Sequence, residues 1–317
     1  MNPGWEPHKL TKTCIFKQKM VMVVRQPVPF SAFALGFLRL IRVQNLLIVV
    51  LTQFLARIFL IGPEPDGSRA DWLRILTDQT IWLISFSTVC IAAAGYIIND
   101  YFDVKIDLVN KPERVVIGRY LKRRVAIGAH QLLNMIGCLI GLYLSRWVFL
   151  IDVVSVSLLW FYSAQFKRQP LIGNIIISLL TALSFIVLAV YYRQNAQMLL
   201  IYALFSFGIS LIREIIKDMQ DIRGDARFGC RTLPIVWGLR RTKYLLYVLI
   251  GSFIITLFLI ADSLNNRHLS IIFLLLLLPL TYFTYRLVFA DTRRDFGYLS
   301  TLCKFIMLLG VLSMVWA

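Results

Sequence analysis

Long apolar runs separated by short polar stretches make up most of the chain. Runs of spanning length can be laid at 38–61, 78–101, 123–145, 147–163, 171–192, 197–216, 241–261, 268–289 and 299–317. Most are close to the roughly 20 residues that a helix needs to cross the hydrocarbon core of a bilayer. The pattern predicts an all-α, polytopic membrane protein with about nine transmembrane helices. Residues 1–37 differ: they are basic, carry Pro27 and Pro29, and hold one short apolar run, Met20 to Val24, too short for a signal-peptide core. The expected organisation is a basic interfacial arm over 1–37 and a single transmembrane domain over 38–317.

Composition strengthens this picture. The chain is 58% hydrophobic and only 16% charged, with a mean hydropathy of +0.72, which excludes an ordinary soluble domain. Its net charge of +17 raises nucleic acid as a partner, and the placement of the basic residues answers that question. With a cytoplasmic N-terminus, the inward segments hold most of them, among them Lys9 to Arg42, Lys105 to Arg124, Lys167, Arg168, Arg213 to Lys243 and Arg286 to Lys304. The outward segments hold Arg57, Arg69, Arg74, Arg146, Arg193 and Arg267. This is the positive-inside pattern, which orients the chain in a cell (inner) membrane and explains the basic balance without nucleic acid. The lysines of the arm favour an anionic leaflet. The five cysteines form no CxxC pair and the three histidines have no partner at ligand or triad spacing, so thiolate, disulfide and triad chemistry are not expected. No obligate protein partner is implied.

The chemistry is concentrated in two polar stretches. Asn99-Asp100-Tyr101-Phe102-Asp103-Val104-Lys105-Ile106-Asp107 follows the second apolar run. Its carboxylates Asp100, Asp103 and Asp107 sit at i, i+3 and i+7, on one stripe of a helix at about 100° per residue. The spacing recurs at Asp218, Asp221 and Asp225, after the run that ends at Ile212. One such cluster can be a solvated turn. Two with identical spacing, each at the end of a membrane helix, point to hard-cation sites. Carboxylate oxygens suit Mg²⁺, which keeps several waters and is commonly shared with substrate phosphates. Both stripes are expected on the cytoplasmic side.

Basic residues beside the acids suit a diphosphate, whose oxygens divide between metal and Lys or Arg donors. Arg114, in the loop Leu108 to Gly118, is the first such donor, while Lys122-Arg123-Arg124 reads as a topology signal. In the short loop from Trp160 to Asn174, Tyr162 and Lys167 reach over the mouth of the site, or serve only as an interfacial aromatic and a stop charge. Arg213 and Lys217 project on one side of the sixth helix. Asn45 is an amide inside the first apolar run and calls for a partner, in a substrate pocket or within the bundle; Arg42 can snorkel to the headgroups. Gly229 and Pro234 should end helical structure before the seventh helix. From residue 241 onwards the helices are rich in Leu, Ile and Phe and read as an apolar wall.

At Asn99 to Asp107 and Asp218 to Asp225 the chain resembles the UbiA superfamily of intramembrane prenyltransferases, whose two motifs are NDxxDxxxD and an Asp-rich DxxDxxGD-like stretch. Within that superfamily, Arg213 to Asp218, Gly224-Asp225, Thr232-Leu233-Pro234, Tyr162-Ser163, Lys167 and Gly173-Asn174 look most similar to the digeranylgeranylglyceryl phosphate synthase branch. Two departures stand out: Arg42 precedes Val43 where the family commonly has Arg-Pro, and Arg114 is followed by Val115-Val116-Ile117-Gly118 where it commonly has an Arg-Pro-x-Pro-Ser-Gly stretch.

The resemblance implies nine helices and transfer of a prenyl group from an allylic diphosphate by ionisation to a carbocation. Asp103, Asp107, Asp218 and Asp221 would be the catalytic carboxylates, joined by Asn99, Asp100 and Asp225 in holding Mg²⁺. Asn45, Arg114, Tyr162, Lys167, Arg213 and Lys217 would contact substrate. The expected donor is geranylgeranyl diphosphate and the expected acceptor a prenylglyceryl phosphate, giving an ether lipid. An aromatic quinone precursor or haem is the alternative acceptor within the family. An ion-coupled transporter is the alternative from another class, although it would more naturally hold its carboxylates near the membrane midplane.

Overall fold

Nine helical spans, each long and apolar enough to cross a membrane, are found among the described residues. The computed structural model describes residues 36–62, 77–110, 115–264 and 267–316, so nearly all of the basic arm lies outside the described residues. In chain order the spans are α1 (Val43–Leu55, running on through a π-helical segment Ala56–Ile61), α2 (Gln79–Asn110), α3 (Arg123–Leu144), α4 (Arg146–Ala164), α5 (Ile172–Tyr192), α6 (Ala196–Arg227), α7 (Leu233–Ser263), α8 (Arg267–Leu275 and Leu277–Val288) and α9 (Arg293–Leu312). No strand occurs among the described residues.

Four helices reach beyond their apolar runs. Helix α2 continues past residue 101 to Asn110 and α6 past residue 216 to Arg227, while α7 and α9 begin before residues 241 and 299, at Leu233 and Arg293. The reason is physical: hydropathy marks where lipid ends, whereas backbone hydrogen bonding continues into water when the side chains permit it. Both acid stripes lie on such extensions. Helix α7 has a kink at Gly238, whose φ of 80° interrupts its first turns. Helix α9 starts early because Thr292 and Asp295 form a reciprocal capping box: the Asp295 backbone N–H donates to Thr292 Oγ1 at 3.3 Å, and the Thr292 N–H donates to Asp295 Oδ2 at 2.9 Å.

Helices α2, α3 and α4 pack on one another, α5 packs along α6, and α6 in turn meets α7 and α9. The main core gathers on α6 and its neighbours, with Phe185, Tyr202, Phe205, Phe273, Phe283 and Phe296 buried in it. Buried polar side chains are tied across helices, as the low-dielectric interior requires. Gln53 of α1 donates to Thr88 Oγ1 of α2 and to the Ser184 carbonyl of α5, both at 3.1 Å. At the end of the bundle opposite the acids, Arg57 and Tyr192 both donate to Asp78 at 3.1 Å. A smaller cluster of Leu40, Ile97, Val116, Ile117, Leu121 and Ala126 docks residues 115–121 against the acid-bearing end of α2.

Candidate active site

Both acid clusters sit on uninterrupted helix, so their spacing translates into shared faces. Asn99, Asp100, Asp103 and Asp107 project from α2, and Asp218, Asp221 and Asp225 from α6, all half-buried. Glu214, one turn before Asp218, extends the second stripe and is buried. The last turn of α6 is closed by a Schellman arrangement. Cys230 N donates to the Asp225 carbonyl at 3.0 Å and Gly229 N to that of Ala226 at 3.2 Å. Gly229 supplies the φ of +70° that this closure needs.

The segment between α4 and α5 connects the two stripes. A single 3₁₀ turn, Phe166–Arg168, carries Lys167 inward, where Lys167 Nζ donates to Asp103 Oδ1 at 2.7 Å and to Asn99 Oδ1 at 3.4 Å. The turn can lie this close to α5 because residue 173 has no side chain. A Cβ there would come within 2.9 Å of the Phe166 carbonyl oxygen, 3.0 Å of Lys167 Cα and 3.3 Å of the Tyr162 ring. Next along the chain, Asn174 Nδ2 donates to Asp218 Oδ2 at 2.8 Å. The 3₁₀ turn, together with the first turn of α5 that follows it, therefore holds a carboxylate of α2 with Lys167 and a carboxylate of α6 with Asn174. Its backbone is fixed in turn by Arg231 N, which donates to the Arg168 carbonyl at 2.8 Å.

Burial drives the Lys167 ammonium below the ordinary lysine range, and Asp103 opposes that fall by favouring the charged form. Burial likewise pushes the Cys230 thiol up, reinforced by Asp225, with Asp103 and Lys167 also in reach. The α6–α7 loop thus lies close to both stripes. Tyr162 lies within electrostatic reach of Asp103, Glu214 and Asp218 together.

The remaining predicted residues take distinct places. Asp100 turns toward α1 and accepts from Arg42 Nη2 at 3.1 Å, and the Arg42 guanidinium stacks over Tyr96 at 4.7 Å. Asn45 is exposed and donates to the Tyr96 hydroxyl at 3.3 Å, one turn from the acids rather than among them. Asp107 is in electrostatic reach of Lys167. Asp221 is approached by Arg293 Nη2 of α9 at 3.6 Å. Arg213 and Lys217 turn back on Glu214, with Lys217 Nζ at 3.8 Å. Arg114 lies outside the described residues. Sequence reasoning placed none of Glu214, Asn174, Arg42 and Arg293 in the site. Glu214 carried a usable signal, being at helical spacing from Asp218, and Asn174 is an amide at the start of an apolar run, as Asn45 is.

Among the described residues no three His, Cys, Asp or Glu side chains gather tightly enough to enclose a metal ion by themselves. Two opposed stripes of carboxylates, each interleaved with Lys, Arg and Asn side chains, suit a cation that takes few protein ligands and shares the rest with phosphate oxygens and water. That is the coordination habit of Mg²⁺ and not of a metal held in an all-protein cage.

Fold and site together define an integral membrane protein with two carboxylate-bearing helix ends beside an apolar interior. The UbiA prenyltransferase family model matches residues 67–309, and the chain belongs to that family. It is similar to the digeranylgeranylglyceryl phosphate synthase of Sulfurisphaera tokodaii, at 28% identity over 225 residues, 70% of this chain and 77% of that one. It is also similar to that of Methanothermobacter thermautotrophicus, at 36% identity over 187 residues, 59% of this chain and 65% of that one. A solved digeranylgeranylglyceryl phosphate synthase structure superposes with a TM-score of 0.71 at 26% identity, covering 89% of this chain and 97% of the other. A UbiA homolog from Archaeoglobus fulgidus, bound to GPP and Mg²⁺, superposes with a TM-score of 0.61 over 89% of this chain and 100% of that one. At 15% identity the second likeness speaks for the fold alone.

Proposed function

We propose that this prenyltransferase moves a geranylgeranyl group from geranylgeranyl diphosphate to the free hydroxyl of a prenylglyceryl phosphate, making an ether lipid, with Mg²⁺ as cofactor. One observation carries the site assignment: Lys167 on Asp103 and Asn174 on Asp218 tie both acid stripes to one short stretch of chain, the 3₁₀ turn and the start of α5. The acceptor assignment is supported by relatives that are named for that product.

Asp103, Asp107, Asp218 and Asp221, with Asn99, Asp100 and Asp225, would hold the metal. A Mg²⁺ ion held there would supply positive charge against a departing diphosphate. Lys167 is a positioned cation for the same oxygens, and Arg114 is assigned as a second donor from the basic loop. Tyr162, whose ring lies against Gly173, is assigned as a wall of the site. The allylic C–O bond breaks with its electron pair leaving on diphosphate. The acceptor hydroxyl oxygen then bonds to the allylic carbon, and its proton passes to the released diphosphate. The apolar walls exclude water, which would otherwise capture the carbocation. The acid-bearing end and the N-terminus are assigned to the cytoplasmic face, because basic residues concentrate there.

The test is transfer of labelled geranylgeranyl by detergent-purified protein to a panel of geranylgeranylglyceryl phosphate, 4-hydroxybenzoate, dihydroxynaphthoate and haem. Labelled ether lipid, lost on chelation of Mg²⁺, is the expected result. Label on an aromatic acceptor or haem alone would overturn the acceptor while retaining the transfer.

A further inference from the structure

A second group of cations lies beside the acid stripe, on the face of α6 that meets α9. At about 100° per residue, Glu214, Asp218, Asp221 and Asp225 share one stripe of α6, whereas Arg213 and Lys217 lie on its flank. That flank faces α9. Arg293, at the start of α9, approaches Asp221 at 3.6 Å, and a Cβ on Gly297 would come within 3.0 Å of Gln220 Nε2. Farther along, Gly310 lies against the Phe205 ring. The two helices are therefore antiparallel in close register, and Lys304, between Gly297 and Gly310, falls level with Arg213. Lys304 shares a face with Arg293 and Gly297 and lies within electrostatic reach of Arg213, Lys217 and Glu214.

Two of these cations share one buried carboxylate. Arg213 donates through Nη1 to Glu214, and Lys217 Nζ stands 3.8 Å from the same carboxyl group. The Arg213 Nε–H is buried and has no hydrogen-bond partner. A buried guanidinium donor left unpaired, amid excess positive charge, is a position made for an anion.

We propose that Arg213, Lys217 and Lys304 form an anion site distinct from the diphosphate site, and that it takes the phosphate monoester of the acceptor. The inference rests on the proposed reaction, which brings two phosphorylated substrates to one cavity. The geometry favours this division. A diphosphate held at the acid stripes must direct its hydrocarbon into the apolar interior, so its reactive carbon lies on the membrane side of the acids. Arg213 and Lys217 precede Asp218 on α6, on that same side. A phosphate held there would bring the acceptor hydroxyl, a few bonds away, alongside the carbon to be attacked.

The test uses the full chain in detergent with Mg²⁺, geranylgeranyl diphosphate and either geranylgeranylglyceryl phosphate or its dephosphorylated alcohol. Lys304→Gln should raise KM for the phosphorylated acceptor about tenfold, as loss of one charge-assisted contact does. KM for the diphosphate should move by less than about twofold, and the alcohol should be used equally by both proteins. Lys304→Arg should restore the acceptor KM, which a mere folding defect would not. An equal penalty on the alcohol or on the diphosphate would overturn the site. So would an effect seen only as lost activation by phosphatidylglycerol in nanodiscs, which would give these cations to a lipid headgroup. A wild-type protein that ignores the glycerophosphate overturns the reaction and the site together. Wild-type turnover with an unmoved Lys304→Gln KM overturns the site alone.

Discussion

Lys167 Nζ lies 2.7 Å from Asp103 Oδ1, although the two residues stand 64 positions apart in the chain. The contact brings the loop between α4 and α5 onto the acid stripe of α2 and gives the site a cation that is not free to wander. Lys167→Ala should lower kcat/KM for the diphosphate about 10- to 100-fold, and Lys167→Arg should recover part of the loss, since Arg keeps the charge but not the point-donor geometry. Steady-state kinetics with the diphosphate varied at saturating acceptor would check this.

Asp103→Asn and Asp218→Asn each remove one metal-seeking carboxylate while preserving shape. Mg²⁺-dependent product formation should fall by about 100-fold or more in either variant, with the detergent-solubilised protein still monodisperse. Turnover at the wild-type level in either one would falsify the metal assignment.

Chelation makes the same point without mutation. EDTA should abolish transfer, and added Mg²⁺ should restore it in full, because the carboxylates and their partners remain in place when the cation is withdrawn. Activity that persists in EDTA would exclude Mg²⁺ from the proposed reaction.

Asn174 donates its amide N–H to Asp218. Asn174→Leu removes the donor at 2.8 Å from Asp218 Oδ2 and should raise the Mg²⁺ concentration for half-maximal activity about 10- to 100-fold, as lost outer-shell partners do at metal sites. A magnesium titration at saturating substrates measures it; an unchanged midpoint would remove Asn174 from the site.

Gly173→Ala sets a new methyl 2.9 Å from the Phe166 carbonyl and 3.0 Å from Lys167 Cα. The turn must shift, and a displacement of about 1 Å in a positioned group can lower the rate about 100-fold. Stability should fall by about 1–3 kcal/mol from the overpacking. Parallel measurement of thermal unfolding and of kcat separates the two effects, and a greater loss in kcat than stability explains is the expected outcome.

Helix number, membrane class and both acid stripes were legible in the sequence because each is a local property. Hydropathy over about 20 residues reports a span, and i, i+3, i+7 spacing reports a helix face whatever lies opposite. Even the early start of α9 was written locally, in the Thr292 and Asp295 capping box. The tertiary structure decided which cation meets which acid. Arg42 reaches Asp100 across 58 positions and Asn174 reaches Asp218 across 44, and no periodicity within a helix encodes a partner on another helix. It also set Arg213 and Lys217 on the neighbouring Glu214. A helix face is fixed by a few neighbouring residues, but the site exists only where packing, down to the missing side chain of Gly173, lets separate faces meet.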